Sequence, residues 1–469
     1  MRISASSIVV GSFIAALLAA CGGNVSSSTP MSVAPQIAAP LSPSHTGVTT
    51  ERTHVRPLYG VIYSFKGQDG EHPMAGVIAL KGDYYGTTSD GGLKFGTVFE
   101  ASTSGAVRVL YEFKGGKDGS YPYAGLIAVN GNLYGTTYYG GGGCDRRPPL
   151  DGCGTVFKLT PSGSGYTESV LHRFGGLKHK DGSYPTAGLI AVDGVLYGTT
   201  WTGGSGTGCG SSSSGPTGCG TVFEITTSGT ERVLHNFAVG NPSSAPDGAL
   251  PAAGLIAVKG RLYGTTYTGD GNYNTSHGPG NYEWGTVFDL EPSGSGYRVL
   301  YSFQGNPDGI GPEAGLIDVN GVLYGTTIFG GVYSKRCGYS LNCGTVFKLT
   351  PSGSGYKESV LYRFNAGKDG YAPVAGLVEM SGALYGTTES GGKGCPNYYG
   401  FKVVGCGTVF EVSTSGNESV LYRFKGPPDA MSPHAGLLDV NGTLYGTTSI
   451  GGVNTCGSTN CGTVFELTP

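Results

Sequence analysis

Across residues 58–469, apolar and polar residues alternate in short runs rich in Val, Ile, Thr, Tyr and Phe, separated by Gly, Asn, Asp and Pro. A period of two marks half-buried strands, and no stretch keeps helical spacing. One section shows the arrangement: residues 124–129 (AGLIAV), 132–137 (NLYGTT), 154–160 (GTVFKLT) and 169–174 (SVLHRF) read as four strands. Asn130-Gly131 joins the first two, and Asp193-Gly194, Asn320-Gly321 and Asn441-Gly442 stand at the same place elsewhere. Such pairs between apolar runs signal tight hairpins. Residues 161–166 (PSGSGY) form a second hairpin between the third and fourth runs.

This unit recurs. YGTT begins at Tyr85, Tyr134, Tyr197, Tyr263, Tyr324, Tyr385 and Tyr445, and GTVF follows at Gly96, Gly154, Gly220, Gly285, Gly344, Gly407 and Gly462. Seven four-stranded units spaced by about 60 residues predict an all-β, seven-bladed β-propeller. The first strand of each unit, opening on Ala-Gly (Gly76, Gly125, Gly188, Gly254, Gly315, Gly376, Gly436), belongs at the crowded axis. The region opens on a fourth-strand sequence at Leu58 to Phe65 with no first three, and residues 462–468 form a third strand with no fourth after it. The spacing therefore predicts that residues 61–65 pair with 462–468 and close the ring. A β-solenoid is the alternative, but it leaves both ends uncapped.

Composition agrees with a turn-rich β protein: 87 Gly and 30 Tyr, with only 13% charged residues. A net charge of -3 without a Lys/Arg run lacks the footprint of a nucleic-acid binder. No cofactor motif is present, and a monomer is expected. Ten cysteines pair locally in loops between YGTT and GTVF: Cys144 with Cys153, Cys209 with Cys219, Cys337 with Cys343, Cys395 with Cys406, and Cys456 with Cys461. Each loop offers two thiols and no matching His, which suits disulfides in an oxidising compartment better than metal sites. Each bridge should contribute roughly 2 to 3 kcal/mol. The copies without cysteines place Phe95 and Trp284 directly before GTVF, as aromatic plugs.

Residues 1–20 read as a secretory signal: Arg2, then an apolar run too short to span a bilayer. Leu18-Ala19-Ala20-Cys21 resembles a bacterial lipobox, which implies cleavage before Cys21, lipidation of that residue and a membrane anchor. Gly22 in place of Asp then implies the outer membrane of the cell envelope. Residues 21–57, rich in Ser, Thr, Pro and Ala, read as a disordered tether reaching on the order of tens of Å. The recurring AGLI, LYGTT, GTVF and VLYRF blocks resemble the GloVer tandem repeats, choice-of-anchor surface proteins of bacteria, over residues 58–469. That resemblance brings no activity and no assigned site.

In this strand order the fourth-to-first and second-to-third connections share one face, which gathers the cysteine loops; variable loops on a rigid scaffold are where binding residues concentrate. Tyr138, Trp201 and Tyr267 follow YGTT there, with Tyr139, Tyr273, Phe329, Tyr333, Tyr398 and Tyr399 in the same loops. Such rings suit sugar stacking or protein contact, or else pack beneath their own loops. An Asp recurs four residues before a Pro: Asp69, Asp118, Asp181, Asp247, Asp308, Asp369 and Asp429. Asp118 and Asp181 are candidate ligand contacts, although six of the seven stand in Asp-Gly turns, where a carboxylate ordinarily accepts local backbone N–H groups. No hydrolase or P-loop motif occurs. The reading is a lipid-anchored, non-enzymatic module that binds carbohydrate or protein. The alternatives are an enzyme on a polysaccharide or peptide, using Asp and a His such as His72, His179 or His434, and a structural scaffold subunit.

Overall fold

The computed structural model describes residues 56–144, 152–209, 211–212, 215–216, 218–239, 247–269, 284–332, 334, 337, 342–393, 395, 405–456 and 459–469. The signal, most of the tether, Cys21, Tyr273, Tyr333, Tyr398 and Tyr399 lie outside them. Among the described residues, strands form seven four-stranded antiparallel sheets arranged as the blades of a propeller. Blade 1 consists of Ile78–Leu80, Asp83–Thr88, Thr97–Ala101 and Val107–Glu112, each paired with the next. Blades 2 to 6 repeat this order over residues 127–173, 190–236, 256–302, 317–363 and 378–423. Blade 7 takes Leu438–Val440, Thr443–Thr448 and Thr463–Thr468 from the end of the chain and its outer strand, Leu58–Ser64, from the start. Leu58 opposes Thr468 and Ser64 opposes Thr463, so the expected closure is observed. One short helix, Gly176–His179, interrupts the β structure of the described residues.

The core lies between blades. Each apolar cluster spans one boundary: Tyr134, Val156 and Phe174 of blade 2 pack with Leu189, Leu196 and Phe223 of blade 3. At the closing boundary Phe65 and Val464 pack with Val77, Tyr84 and Phe99. The Phe ending each fourth strand meets the GTVF Phe of the next blade edge to face, from Phe65 on Phe99 at 5.0 Å to Phe424 on Phe465 at 5.3 Å. The YGTT glycine lies beneath that ring: a Cβ on Gly86 would stand 2.6 Å from the Phe99 ring tip. The GTVF glycine has φ near +90°, and on Gly96 (φ +94) a Cβ would meet Pro122 of the next blade at 2.5 Å.

Two buried hydroxyls complete each repeat. The second Thr of YGTT pairs with the Thr of GTVF, as Thr88 does with Thr97 at 2.8 Å, tying second strand to third. The first Thr donates across the boundary to a carbonyl just ahead of the next blade's first strand: Thr87 to Ala124 at 2.9 Å, Thr199 to Ala253 at 2.9 Å, Thr326 to Ala375 at 3.1 Å. Thr447 donates to Ala75 at 2.8 Å, joining blade 7 to blade 1 by the bond that joins every other pair.

At the rim, the outer-strand position opposite the apolar residue of the third strand is Glu168, Glu231, Glu358 and Glu418 in four blades. Burial, then the charge of Asp118, Asp308 and Asp369 of the preceding repeat, pushes Glu168, Glu358 and Glu418 up to about 7; for Glu231, also about 7, His172 works against burial before Asp181 adds to it. Tyr59 takes this place in blade 7, stacks on Tyr422 at 3.7 Å and donates to Asp429 at 2.8 Å.

Two outcomes follow from this packing. Phe65→Ala should cost about 3–5 kcal/mol, the usual loss for a buried Phe, although Phe65 sits near the start of the folded region; denaturant melts should show one transition at a lower midpoint. The rim glutamates hold protons more firmly folded (about 7) than unfolded (about 4.5). Their contribution is complete at pH 4 and is lost as pH rises through 7. The melting temperature should therefore fall between pH 5 and pH 8, and Glu→Gln at all four positions should flatten that slope; an unchanged slope would refute the assignment.

Candidate functional site

The face carrying the disulfide loops is built from a backbone ladder. All five expected bridges form, with Cα separations of 5.2–5.3 Å. In the copies without them, Phe95 packs against Gly115 and Trp284 against Gly305, as the Cys144–Cys153 bridge packs against Gly176. The residue in this slot also holds the next blade. Its carbonyl accepts the N–H of the residue before the loop Pro: Cys153 from Tyr184 at 2.7 Å, Phe95 from Tyr121 at 2.9 Å, Cys461 from His72 at 2.9 Å. That residue is left-handed in every repeat, with φ from 52° at His72 through 57° at Tyr121 and Tyr184 to 63° at Gly311. A residue before Pro ordinarily avoids this region, so the ladder holds the loop against its local preference. The same residue's carbonyl accepts the N–H of the residue after YGTT, as Tyr184 does from Trp201 and Ala372 from Glu389.

Three positions per blade are thereby fixed around the axis: the residue before the loop Pro, the one after it, and the one following YGTT. The scaffold repeats, whereas these side chains do not. Following the Pro stand Met74, Tyr123, Thr186, Ala252, Glu313, Val374 and His434; following YGTT stand Ser89, Tyr138, Trp201, Tyr267, Ile328, Glu389 and Ser449.

Blades 2 to 4 contribute aromatic rings. Tyr138 stacks on Tyr184 with centroids 5.0 Å apart and meets Tyr123 edge-on at 5.3 Å, while Tyr121 lies 6.3 Å from Tyr123. Trp201 and Tyr267 follow at 5.7 Å. These six rings are half-buried, so each keeps surface toward solvent. Tyr139 differs: it is only 8% exposed and serves as an edge partner beneath Tyr138. Phe329 packs over Ile328, Ala372 and Val374, outside this set.

Blades 5 to 7 and blade 1 contribute ionisable groups. Glu313 is 1% exposed and His434 3%, and His434 Nε2 lies 3.8 Å from Oε1 of Glu389, whose side chain is 21% exposed. Burial, then the charge of Glu389, pushes the Glu313 carboxyl well above the usual range; burial raises Glu389 to about 7. Burial, then the charge of His72, lowers His434 to about 4, so its imidazole is neutral at physiological pH. His72 Nδ1 lies 3.4 Å from Asp90 Oδ2. Among the described residues no cluster of three or more His, Cys, Asp or Glu is arranged to hold a metal ion, and no helix is long and apolar enough to cross a membrane.

Asp118 and Asp181 stand elsewhere. Asp118 accepts from Tyr111 Oη at 2.8 Å and from the Lys114 N–H at 2.7 Å; Asp181 accepts from the Gly175 N–H at 3.0 Å and lies 3.0 Å from His172 Nε2. The other repeats copy this hub, as in Asp369 with Tyr362 and Asn365. These carboxylates brace their loops, the structural role that Asp-Gly turns suggest. Sequence reading passed over Glu313, Tyr121, Tyr123 and Tyr184. The signal that could have found them is divergence among the seven copies at the residues flanking the loop Pro.

No curated protein sequence matches this chain. Solved structures similar to it include a puromycin hydrolase (TM-score 0.45, 10% identity, covering 82% of this chain and 51% of that one). An acylaminoacyl peptidase from Pyrococcus horikoshii is similar at TM-score 0.39 and 10% identity, over 86% of this chain and 53% of that one. A gluconolactonase from Xanthomonas campestris is similar at TM-score 0.37 and 10% identity, over 87% and 89%. None of the three assigns an activity to this chain. The Gloeobacter/Verrucomicrobia repeat matches residues 42–276, 270–394 and 338–469, and the protein belongs to that family.

Proposed function

We propose that the protein is a lipid-anchored binding module of the bacterial cell envelope that takes a carbohydrate at the axial mouth of its disulfide-braced face. The observation that carries this reading is the aromatic sector: Tyr121, Tyr123, Tyr138, Tyr184, Trp201 and Tyr267, all half-buried, from three adjacent blades. A pyranose offers a flat apolar face bounded by hydroxyls, and a rigid Tyr or Trp binds such a face with little loss of side-chain entropy. The backbone ladder fixes the ring positions before a ligand arrives, which lowers the ordering cost of binding. Lipidation at Cys21 would place the module at a membrane surface.

A second reading rests on the Glu389–His434 contact at 3.8 Å, with the carboxyl near 7: an enzyme using Glu389 as acid or base on a polysaccharide. Polymer turnover abolished by Glu389→Gln would select it.

Tyr138→Ala should weaken glycan binding about tenfold, or 1.4 kcal/mol, while the thermal transition stays single. In a Trp284→Phe background Trp201 is the sole indole, and its emission should respond to saturating glycan; a silent Trp201 and an unaffected Tyr138→Ala variant would end the carbohydrate reading. Cys21→Ser should release the protein from the membrane fraction and abolish incorporation of labelled fatty acid.

A further inference from the structure

Each fourth-to-first connection runs from the outer strand of one blade to the inner strand of the next, so its early residues stand at the rim and its late ones near the axis. In two neighbouring connections, residues 114–123 and 175–184, the late residues are rings of the aromatic sector: Tyr121 and Tyr123 in the first, Tyr184 in the second. The early residues of the same two are Lys114 and Lys117, then Lys178 and Lys180, all four exposed. The remaining connections carry one lysine or none. Rings and ammonium groups therefore share two adjacent radii, the rings inside and the charges outside.

The backbone holds these cations in place. Gly115 N–H donates to the Gly119 carbonyl at 3.1 Å, closing the loop that carries Lys117, and the exposed Arg173 donates through Nε to the Lys117 carbonyl at 3.1 Å. In the second connection Lys180 N–H donates to the Gly176 carbonyl at 2.7 Å. The carboxylates of the same loops are turned inward: Asp118 accepts from Tyr111 Oη and the Lys114 N–H, and Asp181 accepts from the Gly175 N–H beside His172. Among the described residues no carboxylate forms an ion pair with any of the four lysines or with Arg173. The whole face shares this bias. No described Asp or Glu in its connections is exposed; Asp193, Glu291, Asp318, Glu379 and Glu466, which are, stand on strands or at the turns of the opposite face.

Resting on the carbohydrate reading above, we propose that the glycan is a polyanion: its sugar rings stack on Tyr121, Tyr123 and Tyr184 while its anionic substituents meet Lys117 and Lys180 on the outer side. A pyranose carries such a substituent at its edge, so one unit offers a face to a ring and a charge to a neighbouring ammonium. Lysine suits this task, being a point charge on a long stem that forms charge-assisted hydrogen bonds to carboxylate, sulfate or phosphate oxygens alike. Because the pairing of ring and cation recurs one blade apart, the arrangement fits successive units of a charged chain better than a single charged sugar. A bilayer is a poorer fit, since Leu177 is the one exposed large apolar side chain among the described residues of these connections.

The test is titration calorimetry on the purified full chain with two matched pairs: a hexamer of α-1,4-linked galacturonate against its methyl ester, and sulfated isomaltohexaose against the unsulfated sugar. The expected result is binding about tenfold tighter, or more, for the charged member of at least one pair, the range that hydrogen bonds to charged groups supply. That advantage should shrink as salt rises from about 50 to about 300 mM, while the uncharged member is indifferent to salt. The pair of changes Lys117→Gln and Lys180→Gln should remove the preference, and Lys357→Gln, at an exposed site of an outer strand, should keep it. If the double variant fails to fold, the salt dependence of the unaltered protein still decides the matter. Equal affinity within both pairs, a preference indifferent to salt, or one that survives the double change overturns the proposal while leaving the glycan reading standing. Binding of none of the four sugars overturns both, as does capture of anionic phospholipid vesicles or a single-stranded oligonucleotide with no binding of sugar.

Discussion

A threonine hydroxyl donating across each blade boundary sets the geometry of this molecule. Thr87, Thr136, Thr199, Thr326, Thr387 and Thr447 are buried and reach the alanine carbonyl that opens the next blade; Thr265 reaches Pro312 and Ala314. A single such bond is worth only about 1 kcal/mol, but leaving the carbonyl buried without it costs more. The bond also fixes the approach of one blade to the next to within a fraction of an ångström, and identical steps close on themselves when their rotation divides the full circle, as seven of these do. Closure is met at Thr447 and Ala75, where the two ends of the folded region meet. The Phe–Phe contacts and the Gly–Pro contacts follow the same step, which is why each blade leaves its apolar face for a neighbour to cover.

Because every boundary is built alike, the residues that form it cannot vary without disturbing the ring. The side chains around the axis are under no such demand. Their backbone is held by the ladder from the cysteine or aromatic slot through the residue before Pro to the residue after YGTT, and the ladder uses only N–H and C=O groups. Sevenfold architecture therefore presents positions that are equivalent in space and independent in chemistry. Tyr123 and Glu313 occupy the same position three blades apart, yet one joins an aromatic sector and the other is a deeply buried carboxyl.

The fold was legible because strand period, hairpin dipeptides and the complementary ends each report a local constraint. The Gly of YGTT and the Gly of GTVF recur because the Phe ring and the Pro approach there, and repetition makes such steric demands visible. The site was legible in part. Tyr138, Trp201 and Tyr267 were found because they directly follow an invariant block and so inherit its position. Glu313 and His434 sit between invariant residues in a loop whose left-handed turn no spacing rule announces, and what sets their chemistry is burial by other blades. The seven recurrent Asp drew attention for the opposite reason: recurrence marks what the scaffold needs, and each carboxylate is spent on its own loop.

The deep burial of Glu313 is the feature the fold alone does not require. At that position Thr186, Ala252 and Val374 are as well covered, so an apolar or small side chain satisfies the packing. A carboxyl in such a place is kept only at the expense of its hydration, and the neighbouring Glu389 makes ionisation harder still. A hydrophobic replacement would relieve the ring of that load. Its presence near the neutral His434 sets this position apart from its counterparts in the other blades, and positions where a scaffold tolerates such a cost are where function is held against stability.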